Sequence, residues 1–493
     1  MNFKFGNLTL ICFSLLFIFS SGALPLFEGN HSHLLRSIAY FEGSKLSNDW
    51  LANQTDPIPV FTFINSFLIK TFSPKITYLF HAILGLILIN SCFFICKNFL
   101  NKKNSITILA IWFFIFFIIF HEKTFFSGVA GQSVYNKTYQ PSTFGVLLIL
   151  SLCLFIYDKI IISIIIASLS AIIHPTYLIQ SIFLISGYCI YLLYIKNYKN
   201  LLIAILVALI LLTPLLLYLI LNFISLDPNI SKLGQDIMAE QRIPHHAKIT
   251  YWFSYKDIQS LIIIILALFL IHKEKNIFIP LTVVCALSLI FTLIHYLTDS
   301  NFFGLLFPWR SSVYLNPISI LIILSIILNK LVQKYSIIIE NYSKVVFSIC
   351  SLLILALTIP GVKEIYSLNE LKNKKFSLAL MLSKEKYIHR LLIPINQNHM
   401  RMNSGIPIFV DWKSTPYKNE EIINWYERIK LANNFYLSST FKERYNIFNQ
   451  ITKLENISHF VVKKQNQNLF INCKKILEHK DLILYSSDPC MIN

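Results

Sequence analysis

The chain has 493 residues and a formal net charge of +18; 55% of its residues are hydrophobic and only 14% are charged. A soluble domain is about a quarter charged, so this composition excludes an ordinary water-soluble globule and requires lipid over much of the surface. The positive excess suits cytoplasmic loops and anionic headgroups, and it excludes a nucleic-acid surface because aromatic and basic residues do not interleave.

In chain order, Lys4 precedes an apolar run from Leu8 to Phe19 and then Ser20-Ser-Gly-Ala23. That pattern fits a cleavable signal peptide or a retained first helix, and the retained helix is preferred. A loop over residues 28–57 follows, with the carboxylates Glu42, Asp49 and Asp56 and with Trp50 beside Asp49. Pro57–Phe72 is apolar but broken by two prolines, and reads as an interfacial or re-entrant helix.

A membrane-spanning helix needs about 20 mainly apolar residues. With Leu8–Leu26 as the first, spans are predicted at Ile76–Cys96, Ser105–Phe120, Ser142–Tyr157, Ile160–Ile173, Tyr177–Ile195 and Leu201–Phe223. Others are predicted at Ile258–Ile271, Ile277–Leu297, Val313–Leu328 and Val345–Pro360, about eleven in all. With the N-terminus in the cytoplasm, every short lysine-bearing connection falls inside, from Lys97, Lys102 and Lys103 to Lys330 and Lys334. The large loop over 225–257 and the C-terminal segment then fall outside. The predicted fold class is therefore a polytopic α-helical membrane protein. Residues 1–360 form its membrane domain and residues 361–493 a small C-terminal extracytoplasmic α/β domain.

Within that C-terminal segment, Ile406–Val410, His459–Val462 and Leu482–Tyr485 read as strands, and Asn419–Ala432 as an amphipathic helix. Asp411-Trp-Lys413 and Arg428 suit either acceptor recognition or internal salt bridges. Of nine cysteines, only Cys473 and Cys490 fall outside apolar segments, where an oxidising compartment permits a disulfide between them.

The polar residues hardest to explain by packing all fall on the outer side. Asp49, with Glu42 as runner-up, is a carboxylate placed to deprotonate an acceptor hydroxyl. Asp49 also suits a divalent cation, Mg or Mn, held against phosphate. Arg242, His245, His246 and Arg310 offer forks and imidazoles for a phosphate or diphosphate. His174 sits in a short turn between two apolar runs, where an ionisable residue orients a bound group, and Trp50 belongs at the interface.

This layout resembles the GT-C class of membrane glycosyltransferases. It is most similar to a bacterial family of GT-C-like membrane proteins. The resemblance is carried by Asn48-Asp-Trp50, His174-Pro-Thr-Tyr177, Arg242-Ile-Pro-His-His246, Pro308-Trp-Arg310, Phe409-Val-Asp-Trp-Lys-Ser-Thr-Pro-Tyr417 and Trp425-Tyr-Glu-Arg428. It implies a bacterial inner-membrane enzyme that inverts configuration. Such an enzyme transfers a sugar from a polyprenyl-phosphate donor to a glycan, lipid or protein acceptor on the periplasmic face. A carboxylate of the first outer loop, here Asp49 or Glu42, is implied as base or metal ligand.

Two rival readings share the topology. A polysaccharide polymerase or ligase relies on Arg and His of large outer loops rather than on a first-loop carboxylate. A lipid or polysaccharide flippase places charges and broken helices near the bilayer midplane, whereas here the mid-helix positions are almost entirely apolar.

Overall fold

The computed structural model describes residues 23–40, 43–100, 127–385, 387–470 and 473–488, with scattered positions before residue 20 and Trp112 and Ile115. Glu42, Cys490 and most of the spans expected at Leu8–Leu26 and Ser105–Phe120 lie outside the described residues. Cys473 is disulfide-bonded.

The chain is a multi-pass membrane protein. Among the described residues, six helices are long and apolar enough to cross a bilayer: Ile76–Asn98, Pro175–Tyr194, Tyr198–Phe223, Lys275–Thr298, Asn301–Lys334 and Lys344–Tyr366. Three further expected spans are shorter helices: α1 (Val146–Ile156), α2 (Ile160–Ile173) and, later in the chain, Tyr255–Leu270. At 1.5 Å per residue the 14 residues of α2 rise about 21 Å, short of a bilayer core of about 30 Å. Among the described residues the expected apolar runs are helices, and length divides them into full spans and shorter helices.

The chain folds into two compact units. The helical unit comprises Met1–Ala23, Tyr78–Tyr218 and Ile243–Tyr366. In it α1 packs on α2, and α3 (Leu178–Tyr194) packs on α4 (Lys275–Thr298). A Cβ on Gly187 of α3 would lie 2.7 Å from the Pro280 backbone of α4, so only glycine permits that approach. The helix over Ser336–Tyr366 runs past the boundary expected at residue 360.

The mixed unit comprises Leu24–Thr77, Leu219–Arg242 and Ser367–Asn493. The C-terminal segment expected to form a domain alone is thus folded together with the first loop. Lys45 Nζ donates to the carbonyls of Glu385 and Ile388 at 3.0 and 3.2 Å. The Thr55 amide and hydroxyl donate to Glu421 Oε1 at 3.0 and 2.7 Å. The apolar segment after the loop forms a helix over Pro59–Thr71 in this unit.

Four strands form the sheet: β1 (Leu391–Leu392), β2 (His459–Lys463), β3 (Lys475–His479) and β4 (Leu482–Ser486), in the order β1-β2-β4-β3. β1 is parallel to β2; β4 is antiparallel to both neighbours. Successive side chains leave opposite faces of a strand. Val461 and Leu484 accordingly pack with Leu382, Ile393 and Met400 on one face. Phe460 and Tyr485 stack at 5.5 Å on the other, with Phe435 and Phe448 from helices α5 (Asn419–Leu437) and α6 (Phe441–Leu454). Burial on both faces explains why β2 reads as a continuous apolar run. Ile406–Val410 is not a strand; only Ile408 makes a bridge, to Leu391.

Candidate functional site

In the helical unit, α2 ends at His174, whose backbone turns extended (φ −135°, ψ 95°) while its amide still donates to Ser170 O at 3.0 Å. The next turn, Pro175–Tyr177, presents Thr176 and Tyr177. Arg310 lies within a second turn, Pro308–Ser311. Its Nε donates to Gln132 Oε1 at 3.1 Å, and its Nη1 donates to the Thr176 hydroxyl. Its guanidinium lies 5.1 Å from the Phe307 ring and 5.6 Å from the Tyr177 ring. The His174 ring meets the same tyrosine edge-on at 5.5 Å. Two segments singled out from the sequence, 134 residues apart at Thr176 and Arg310, therefore meet. Phe307 sits in the left-handed region at φ 49°, which a bulky residue avoids. Its carbonyl is held by the buried amide of Gln180 at 2.8 Å.

A second group surrounds a cavity of about 1050 Å³. His245 and His246 lie in a short helix, Pro244–Ala247, and line this cavity with their rings 4.2 Å apart. His246 Nδ1 donates to Ala130 O at 2.7 Å, which fixes the ring. Lys256, Asp257, Gln259 and Asn316 also line the cavity, with Ser127, Ser254 and Ser260. A second, apolar cavity of about 510 Å³ is lined by Leu261, Ile264, Leu289, Leu293 and Leu315. Trp252, Asp257 and Ser260 line both cavities. The Trp252 ring rests 4.9 Å from that of Trp309, which lines the apolar cavity.

Asp257 was missed by sequence reasoning. The Ser254-to-Asp257 spacing reads as a helix start, and it is one: Asp257 Oδ2 accepts from the Ser254 amide and hydroxyl at 2.8 and 2.7 Å. The signal that hides it is genuine, and only the cavities reveal its second placement.

In the mixed unit the first-loop carboxylates are placed differently from expectation. Asp49 is fully buried. Its Oδ1 accepts the Leu51 amide at 3.0 Å, and its Oδ2 accepts the Ile408 amide and Arg401 Nε at 3.1 and 3.0 Å. So arranged, it has no face for an acceptor hydroxyl or for a metal ion. Arg401 Nη1 approaches Asp411 Oδ2 to 2.7 Å, close in distance but off the direction of a hydrogen bond. Asp411 Oδ1 in turn accepts the amides of Lys413 and Ser414 at 2.9 and 2.7 Å. Burial pushes the Asp411 carboxyl above its usual range, with Arg401 opposing.

Trp50, expected against substrate, carries the Arg428 guanidinium over its ring at 4.3 Å. Arg428 also pairs with Glu455 at 3.1 Å. Asp411 and Arg428 thus make internal salt bridges, one of the two readings their sequence allowed. Arg242 Nη2 donates to Lys413 O at 2.6 Å, and burial pulls both basic groups below their usual values. Arg242 falls in the mixed unit and His245 and His246 in the helical unit, so that motif is divided. Asp56 pairs with Arg36 at 4.0 Å, and Glu28 pairs with Lys375. Among the described residues, no group of three His, Cys, Asp or Glu side chains is placed to hold a metal ion. The Mg or Mn site expected at Asp49 is not supported by this donor set.

A domain of unknown function, DUF6798, matches residues 389–432, the block that holds Arg390, Arg401, Asp411, Trp425 and Arg428. No curated protein matches the chain in sequence. The solved structures that match this chain include two membrane proteins. The Archaeoglobus fulgidus oligosaccharyltransferase, in complex with zinc and sulfate, is 10% identical, with 93% of this chain and 68% of that one covered and a TM-score of 0.49. ArnT from Cupriavidus metallidurans, bound to undecaprenyl phosphate, is 11% identical, with 99% of each chain covered and a TM-score of 0.51. The likeness to ArnT runs the length of both chains and is a likeness of fold.

Proposed function

We propose that the protein is a membrane glycosyltransferase that moves a sugar from a polyprenyl-phosphate donor to a glycan, lipid or protein acceptor. The observation that carries this reading is Asp257 on the wall shared by a polar and an apolar cavity. A lipid-linked sugar has the same two-part character: a long apolar chain, a phosphate and a polar ring. The apolar cavity suits the chain end nearest the phosphate, and the polar cavity suits the sugar. His245, His246 and Lys256 supply positive or hydrogen-bonding groups to the phosphate.

In the transfer, the acceptor oxygen forms a bond to the anomeric carbon from the face opposite the leaving group. The bond from that carbon to the phosphate oxygen breaks, and the phosphate departs with the electron pair. Asp257 takes the acceptor's proton as general base, a role worth about 10²–10⁴-fold. One displacement inverts the anomeric configuration. The reading places the enzyme in a bacterial inner membrane, with the N-terminus cytoplasmic and the mixed unit periplasmic, as the lysine-bearing loops favour.

The test is sugar transfer from a radiolabelled panel of polyprenyl-phosphate sugars by the purified full-length protein. Turnover of at least one donor, lost in the Asp257→Asn variant, is the expected result. Folded protein that turns over none of them would sink the proposal.

A further inference from the structure

The mixed unit contains a separate cleft of about 470 Å³ between the start of the helix over Ser377–Leu382 and the β3–β4 hairpin. That volume lies within the roughly 300–1,000 Å³ typical of small-ligand sites. Four ammonium groups line it: Lys375, Lys463, Lys464 and Lys480. Lys375 pairs with Glu28, and Lys464 pairs with Glu478 at 2.6 Å. Lys463 has no carboxylate within ion-pair distance among the described residues, and Lys480 donates to the carbonyl of Lys374. Asp481 is the one carboxylate on the lining, and the imidazoles of His399 and His479 complete the titratable set.

The lining combines charged groups with neutral polar ones. Lys480 occupies the hairpin turn at φ 52°, a left-handed conformation that glycine would adopt without strain. A two-residue hairpin loop takes this conformation, and here it places Lys480 on the cleft lining. The cleft also offers neutral hydrogen-bonding groups, the amides of Gln397 and Gln465 and the Ser377 hydroxyl, which bonds His479 Nε2 at 2.6 Å. A sugar phosphate matches both halves of this lining, its phosphate meeting the ammonium groups and its hydroxyls meeting amides that both donate and accept.

We propose that this cleft binds a phosphate group carried on a saccharide, with Lys463 and Lys480 on the phosphate and the glutamines on the sugar. The site is independent of the transfer reaction proposed above, since it is built wholly within the mixed unit. It adds a second saccharide-recognition site to the protein.

Calorimetric titration of the full-length protein in detergent tests this, with glucose 6-phosphate, inorganic phosphate and glucose as probes. Saturable binding of glucose 6-phosphate is expected, with inorganic phosphate weaker and glucose inert. Lys463→Gln and Lys480→Gly should each weaken it about tenfold, the loss of one charge-assisted contact. Lys442→Gln, on an exposed side chain of α6, should leave it unchanged. Glycine suits the turn, so Lys480→Gly keeps the test decisive if the other variant fails to fold. The proposal falls if no probe saturates, or if Lys442→Gln weakens binding equally. It falls also if inorganic phosphate binds as tightly as the sugar phosphate, which would leave an adventitious ion only.

Discussion

Arg401 Nε lies 3.0 Å from Asp49 Oδ2, with the carboxylate fully buried and the guanidinium nearly so, although 352 residues separate them in the chain. The same guanidinium reaches Asp411, so one cation serves two buried anions. A buried pair of this kind adds little over a well-packed apolar substitute, yet breaking it is severe because a charge is stranded without water.

Arg401→Met should therefore destabilise the mixed unit by about 3–5 kcal/mol, since it strands Asp49 and Asp411 together. Asp49→Asn, which keeps the shape and leaves the Asp411 partner, should cost about 1–3 kcal/mol. Hydrogen exchange across residues 389–432 reads both losses. A loss of transfer activity in Asp49→Asn with unchanged exchange would instead return Asp49 to a catalytic role.

The raised Asp411 carboxyl gives stability a pH dependence of definite sign. Because burial makes the folded state hold this proton more tightly than the unfolded chain, the contribution is fully present below the ordinary value of 3.8. It is lost as pH rises through the folded value. Asp411→Asn cannot titrate, so the wild type should lose stability relative to this variant as pH rises above the ordinary carboxylate value of 3.8. A difference in melting temperature that stays flat, or grows in favour of the wild type, contradicts the assignment.

Asp257 has a capping role and a proposed catalytic one, and two variants separate them. Ser254→Ala removes the other half of the cap and should lower stability by about 1 kcal/mol while turnover per folded molecule holds. Asp257→Asn should lower turnover about 10²–10⁴-fold with a stability loss no greater. Equal turnover losses in the two variants would reduce Asp257 to its cap.

Arg310 ties Gln132 to Thr176 and lies against two aromatic rings. A lysine carries its three donors on one nitrogen and lacks the planar fork that reaches two partners from separate nitrogens. Arg310→Lys should lower the stability of the helical unit by roughly 1–3 kcal/mol and change donor affinity less than threefold. A larger fall in donor affinity, measured with a polyprenyl-phosphate sugar, with stability intact would place Arg310 on the phosphate.

Part of this architecture was legible because its cause is local. Apolar length depends only on neighbouring residues, and Ile76–Cys96 and Leu201–Phe223 emerge as helices within a few residues of expectation. The same holds for His459–Val462, Leu482–Tyr485 and the start of the helix at Asn419, where the apolar pattern acts over a few residues. The clustering of His174 with Arg310 was half legible. Both were singled out as polar residues at the ends of apolar runs, but nothing local joins them.

The sequence by itself determined a membrane-embedded helical chain with a charged, mixed C-terminal segment, because the free energy of burying apolar side chains in lipid accumulates along contiguous residues. Only the tertiary structure decided which carboxylate is a structural counter-ion and which one faces a cavity. Asp49 and Asp257 are chemically the same group, and their difference comes from partners far away in the chain. Desolvation and Coulomb attraction depend on distance in space, and a pairing across 352 residues leaves no trace in the spacing of its neighbours.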